Sequence, residues 1–258
     1  MDLRVSFLQI PLVWENKKAN LEFIEEKILQ DKSETDLIVL PEMFTTGFSM
    51  KPVVFSEKHY EETVKKMLYW AQQKQAAILG SIIVEDNQHY FNRLYFVTPE
   101  ADIWYYDKRH LFRMAKEDQY YQMGSQHTLV KYKSWKILPL ICYDLRFPVW
   151  SRNTQDYDLL IYVANWPERR RNPWRTLLKA RAIENLSYVL GVNRIGEDGN
   201  GVSHSGDSAM IDFKGDIISY TQAHEERMET LSISKKALLD FRNKFPAHYD
   251  ADQFSIDL

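Results

Sequence analysis

The sequence predicts an α/β fold (α+β by some schemes). The expected architecture is a four-layer α-β-β-α sandwich, two stacked mixed sheets with helices on the outside of each. Three observations predict it. The runs "DLIVLPE", "WKILPLIC" and "DLLIYVAN" are short and continuously apolar, as strands covered on both faces must be. Segments with helical spacing alternate with such runs, and helices must cover sheet faces. No repeat, linker or charged tail interrupts the 258 residues, which hold only 9 Gly and 9 Pro. A plain doubly wound sheet is the alternative that the same order allows.

Each element has a local reason. "LRVSFLQI" reads as the first strand. "ANLEFIEEKILQ" follows as a helix, with Leu21, Ile24, Ile28 and Leu29 on one face. "DLIVLPE" is a buried strand, and "HYEETVKKMLYWAQQKQ" a second helix. "AAILGSIIVE" and "YFNRLYFV" form a strand pair around "DNQ", and "DIWYYDK" adds a strand after the turn "PEAD". "WKILPLIC" and "DLLIYVAN" are buried strands, with Pro148 opening a short helix between them. "NPWRTLLKARAIENLS" is a helix with Asn172 as N-cap and Pro173 at the first helical position. "YVLGVNRI", "DSAMIDF" and "DIISYTQ" are late strands, the last two joined by "KGD". "SKKALLDFRNKF" closes the body as a helix. The expected organisation is one domain over 1–245 and a C-terminal tail over 246–258 that packs on the domain or on a partner.

Composition narrows the function classes. The formal net charge of -3 speaks against a nucleic-acid partner. No apolar run approaches the roughly 20 residues that cross a bilayer, so no membrane partner is expected. The opening "MDLRVSFLQI" has no basic leader followed by an apolar core. The single cysteine cannot form an internal disulfide. Together these lead to the expectation of a cytoplasmic protein.

Buried-looking strands end in abrupt polar chemistry. "LIVLPE" ends in Glu42, "LPLICYD" in Cys142, "LIYVANW" in Asn165 and Trp166, and "IWYYDKRH" runs into Lys108. Carboxyl ends of sheet strands are where ligand crevices form. A thiol, a carboxylate and an amine brought together there have a chemical logic. The thiolate is a nucleophile, the carboxylate accepts its proton, and the ammonium, with a backbone N–H just after the cysteine, stabilises an oxyanion. That is acyl transfer through a thioester. Taken singly, each residue has a plainer account: a packed core thiol, or a buried ion pair.

The motifs around these residues carry a resemblance. "LPEMF", "YDKRHLF" and "LICYDLRFP" stand in order at family-like spacing, and the chain resembles the nitrilase superfamily of carbon-nitrogen hydrolases from its first strand to about Phe245. The finer resemblance is to the omega-amidase branch, its bacterial members in particular. It is carried by "KRHLFRMAKE", "CYDLRFPVWSRN", "YVANWPERR", "LLKARAIENLSYV", "NRIGEDGNG" and "GDSAMID". The resemblance implies a Glu42–Lys108–Cys142 triad, with Glu117, seven residues before Gly124, as a second pocket glutamate. It implies hydrolysis of the terminal amide of 2-oxo dicarboxylic acid monoamides, such as 2-oxoglutaramate and 2-oxosuccinamate, with the Tyr143 N–H at the oxyanion. It also implies a homodimer and no metal or organic cofactor.

Other residues divide between chemistry and packing. The seven His show no metal-ligand spacing, so no metal site is expected. His110 offers a Cys–His pair, against which stands a hydrogen-bonding role beside the lysine loop. His204 reads as a loop residue near the pocket or a dimer rim, and "GEDGNG" as a turn. "ERRRNPWR" is a basic cluster, either a solvated loop or an attractor for an anionic substrate. Arg113, Arg146 and Arg169 stand nearest the motifs. Arg146 is read as structural, and Arg113 is the candidate for the substrate carboxylate. Tyr143, Asn165 and Trp166 are expected at the substrate, with core packing as the counter-reading for Tyr143 and Trp166. Two rivals to the omega-amidase expectation remain. One keeps the triad but changes the substrate: a carbamoyl hydrolase, an aliphatic amidase or a nitrilase. The other is a catalytically idle small-molecule-binding member.

Overall fold

The computed structural model describes residues 2–256. The chain opens with β1 (Leu3–Gln9), α1 (Lys17–Gln30), β2 (Leu37–Val39), α2 (Pro52–Phe55), β3 (Glu57–Lys58) and α3 (Glu62–Lys74). It continues through β4 (Ala77–Asp86), β5 (His89–Val97), β6 (Ile103–Asp107), β7 (Val130–Tyr132) and β8 (Trp135–Ile141). Then follow α4 (Pro148–Ser151), β9 (Leu159–Ala164), α5 (Arg171–Asn185), β10 (Tyr188–Asn193), β11 (Ile195–Glu197), β12 (Ser203–Ser205), β13 (Ala209–Ile211), β14 (Arg227–Ile233) and α6 (Lys235–Lys244).

Two mixed sheets hold most of these strands. The first runs β14-β1-β2-β4-β5-β6, with β3 also on β4; the second runs β13-β10-β9-β8-β7. β1, β2 and β4 are parallel to one another, as are β8, β9 and β10. Side chains alternate across a strand, and this alternation builds the layers. Leu3, Val5, Phe7, Leu37, Val39, Ala77 and Leu79 face inward and join the core shared with the second sheet. Leu8, Ile38, Leu40 and Ile78 face outward and pack with Leu21, Ile24 and Ile28 of α1 and Val64, Met67 and Trp70 of α3. On the far side, Trp174, Leu178 and Ala182 of α5 cover the second sheet. Gly191 lets α5 close on β10, because a Cβ there would meet Leu178 Cδ1 at 2.5 Å. The result is the four-layer sandwich, and it explains why the strands read as continuous apolar runs.

Several local expectations need correction. α5 begins at Arg171 with Arg170 as N-cap, not at Pro173 with Asn172 as cap. A 3-10 turn over Glu168–Arg170 runs straight into the helix and starts it early. "DIISYTQ" is not a strand; it contributes only the single bridge Ile211↔Ile217. β14, read in the sequence as no element, is a full partner of β1. Its run "RMETLSI" sits at a sheet edge and is mostly half-buried, so it lacks the apolar signal of the central strands. Of the expected tail, residues 247–250 form a 3-10 turn; positions 257 and 258, like Met1, lie outside the described residues.

Candidate active site

The same end of both sheets gathers the polar residues. Glu42 follows β2 and Lys108 follows β6 in the first sheet, while Cys142 follows β8 and Asn165 follows β9 in the second. Lys108 Nζ donates to Glu42 Oε1 at 2.9 Å and to both carboxylate oxygens of Glu117 at 3.0 Å. All three side chains are buried. Glu42 is held on each oxygen. Oε1 also accepts from Asn92 Nδ2 at 2.8 Å, and Oε2 from the Asn165 N–H at 2.8 Å. Asn165 Nδ2 donates to the Glu42 carbonyl at 2.5 Å. Glu117 Oε2 further accepts from the Phe112 N–H at 2.6 Å, which ties it to the loop after Lys108.

These charges set one another. Burial alone would discharge Lys108, but the carboxylates of Glu117 and Glu42 more than offset it and raise its pKa. Burial raises the carboxyl of Glu117, with Lys108 pulling the other way. Burial also pushes the Cys142 thiol well up, helped by the charge of Glu42 and a hydrogen bond to it and opposed by Lys108. That direction favours the protonated thiol, beside a carboxylate that can take its proton. Among the described residues, no group of three or more His, Cys, Asp and Glu is placed to hold a metal ion.

Cys142 sits on a strained turn. Its φ is 43°, in the left-handed region that costs non-glycine residues of order 1–3 kcal/mol. The strand stops there and a 3-10 turn over Cys142–Arg146 begins. Asp144 holds that turn to the lysine loop. Its Oδ2 accepts from the Ile141 N–H at 3.0 Å and the Tyr106 hydroxyl at 2.8 Å. Its Oδ1 accepts from the His110 N–H at 3.0 Å and lies 2.8 Å from His110 Nδ1. One buried carboxylate thus joins the strand end before Cys142 to the segment after Lys108. Asp144→Asn replaces an acceptor with a donor facing donors. We expect it to cost about 1–3 kcal/mol of stability and roughly tenfold in kcat/KM through misplacement. Urea unfolding and ammonia-release kinetics check this; wild-type values in both would remove the bracing role.

The cavity above Cys142 measures about 650 Å³, within the range of small-molecule sites. Tyr143, Asn165 and Trp166 line it. Tyr143 packs edge-on against Phe112, with ring centroids 5.0 Å apart, and Trp166 leans on Trp174 at 5.4 Å. Asn165 spends its N–H and its amide nitrogen on Glu42, while its Oδ1 is buried without a partner. Arg113 is not brought in: its side chain is 84% exposed and its nearest carboxylate is Asp118 at 4.0 Å. It lies on a 3-10 turn whose neighbours Phe112 and Met114 face the cavity in its place. His110 stacks on Phe147, ring centroids 3.7 Å apart, and bonds Asp144. His204 lines the cavity; burial, then the charge of Arg194, pushes its pKa down to about 4. Asn92 and Asp144 have no assigned role in the sequence reading, and Arg170 enters it only as a member of the basic cluster "ERRRNPWR". A lone Asn inside the apolar strand "YFNRLYFV" was the available signal for the first.

The family model for carbon-nitrogen hydrolase matches residues 4–238. The chain is 47% identical over 254 residues to the omega-amidase YafV of Escherichia coli (strain K12), covering 98% of each chain. It is 29% identical over 255 residues to the 2-oxoglutaramate amidase of Bacillus subtilis (strain 168), covering 97% of this chain and 98% of that one. Among solved structures, XC1258 of Xanthomonas campestris is described as a CN-hydrolase superfamily protein with an arsenic adduct in its active site. It superposes with a TM-score of 0.97 at 41% identity, with 100% of both chains covered. Nit3 of Saccharomyces cerevisiae, from the nitrilase superfamily, gives 0.86 at 22% identity over 95% of this chain and 94% of that one, a likeness of fold.

Proposed function

The chain belongs to the carbon-nitrogen hydrolase family, and from that premise we propose that it is an omega-amidase. Its substrates are 2-oxo dicarboxylic acid monoamides, 2-oxoglutaramate above all, which it cleaves to the acid and ammonia. The observation that carries the site assignment is the buried Glu42–Lys108–Glu117 cluster beside the Cys142 thiol, whose pKa burial pushes up.

In this reading Cys142 is the nucleophile, Glu42 the general base, and Lys108 the charge that meets the oxyanion. As sulfur bonds to the amide carbon, Glu42 takes the thiol proton. The carbonyl oxygen becomes an oxyanion held by Lys108 and the Tyr143 N–H. Asn165 Oδ1, a buried acceptor without a partner, accepts from the amide N–H. The C–N bond then breaks, Glu42 returns the proton to nitrogen, and ammonia leaves a thioester on Cys142. Water gives its proton to Glu42 and attacks the thioester carbon; the C–S bond breaks and the proton returns to sulfur. Glu117 keeps Lys108 in place through both halves.

The test is ammonia release from 2-oxoglutaramate, set against neutral amides and nitriles, with intact-protein mass recorded during turnover. We expect preference for the oxo-acid amide and an acyl mass on the protein. Turnover of a neutral amide or a nitrile alone would remove the substrate assignment, and absence of any adduct would remove the covalent mechanism.

The same reading takes residues 1–245 as one domain with 246–258 as a tail, and the chain as a cytoplasmic homodimer. In support, Phe245, Tyr249 and Phe254 of this end are 55%, 82% and 44% exposed, and the tail runs beside the equally bare Val149. Among the described residues no helix is long and apolar enough to cross a membrane. A single-chain sedimentation coefficient would remove the dimer.

A further inference from the structure

One wall of the cavity is cationic and, among the described residues, unneutralised. Arg146, Arg169 and Arg170 line it beside Cys142. The nearby carboxylates are all engaged elsewhere. Glu15 pairs with Lys51 and Ser49, Glu42 and Glu117 with Lys108, and Asp198 with the N–H groups of Asn200 and Val202. Of the three arginines, Arg146 lies over the Trp166 ring at 5.1 Å and Arg169 is exposed.

Arg170 is the one built into the wall. Its guanidinium lies 5.3 Å from the Phe112 ring centroid, and Nη2 donates to Met114 Sδ at 2.8 Å. Its backbone is fixed on both sides: its N–H donates to the Pro167 carbonyl at 2.9 Å, and Trp166 Nε1 donates to its carbonyl at 2.7 Å. Nη1 is buried and has no hydrogen-bond partner among the described residues. A charged donor left in that state costs free energy until an acceptor arrives. Burial and the like charges of Arg169 and Arg146 disfavour its cation, which an anion placed beside it would offset.

We propose that Arg170 is the specificity-determining residue that receives the substrate's carboxylate. Its free Nη1 donates to a carboxylate oxygen at the end of the molecule opposite the scissile amide, which sets the amide carbon at Cys142. The inference rests on the omega-amidase reading and deepens it: the accepted class is short amides with a carboxylate at the far end. A neutral amide leaves Nη1 unpaired, and a site that leaves a buried donor unpaired discriminates strongly against that ligand.

The test is the ratio of kcat/KM for 2-oxoglutaramate over that for a neutral amide of the same chain length, with circular dichroism melts as a folding control. We expect Arg170→Gln to lower this ratio about 30-fold, which at 1.36 kcal/mol per decade is ~2 kcal/mol, the size of a hydrogen bond to a charged group. Met114→Leu removes the sulfur acceptor but keeps the apolar bulk, and should leave the ratio within about twofold. An unchanged ratio in Arg170→Gln, or an equal fall in both variants, overturns the assignment and makes Arg170 a loop support. If the omega-amidase reading itself is wrong, the wild-type protein already shows no preference for the acidic amide. That outcome differs from a high wild-type ratio that Arg170→Gln fails to lower.

Discussion

Cys142→Ala should lower ammonia release from 2-oxoglutaramate by about 10⁴-fold or more, the scale on which loss of a covalent nucleophile acts. The acyl mass on the protein should vanish with it. The loss follows from the division of labour at the site. Glu42, Lys108 and the Tyr143 N–H serve a bond that only sulfur can form, and without it they face an amide that water attacks poorly. Folding should survive, since the thiol makes no ion pair and alanine leaves the Lys108 contacts to Glu42 and Glu117 intact. Melting within a few degrees of wild type, with turnover gone, is the expected pair of results. Substantial turnover by the variant would take the nucleophile away from Cys142.

Lys108→Met should damage both chemistry and stability. The ammonium is the shared counter-charge of two buried carboxylates, Glu42 and Glu117. Removing one partner of a buried pair costs about 3–5 kcal/mol, because the charges left behind have neither water nor a cation. Proton uptake relieves part of that cost. Burial already raises the Glu117 carboxyl, and Lys108 is what holds it down; in the variant it rises further. The folded variant then binds more protons than the unfolded chain, so its stability falls as pH rises. The deficit relative to wild type should be larger at pH 8 than at pH 5 in urea unfolding. A deficit that does not vary with pH would mean that Glu117 is not held ionised by Lys108. Ammonia release should fall by ~10²–10³ from the lost oxyanion charge alone.

Much of this was readable in the sequence because it depends on near neighbours along the chain. A run such as "DLLIYVAN" can only be a strand buried on both faces, and its abrupt polar end marks a crevice. The motifs around Glu42, Lys108 and Cys142 are contiguous, and so is the spacing from Glu117 to Gly124. The layer order followed from helices that needed sheets to cover. β14 escaped because an edge strand buries little and carries no apolar run.

The contacts that arm the site were decided by the tertiary structure. Asn92 reaches Glu42 from β5 and Asn165 from the end of β9, across 50 and 123 positions of sequence. Asp144 reaches His110 across 34. The sequence points to Arg113, yet Arg113 stands in solvent, while Arg170 lines the cavity and keeps one buried guanidinium nitrogen unpaired among the described residues. The physical reason is common to all of these. Apolar pattern states whether a segment is covered, since burial depends on area and needs no direction. A hydrogen bond needs a partner at a set distance and angle, and only the packing of two sheets face to face decides which side chain meets which.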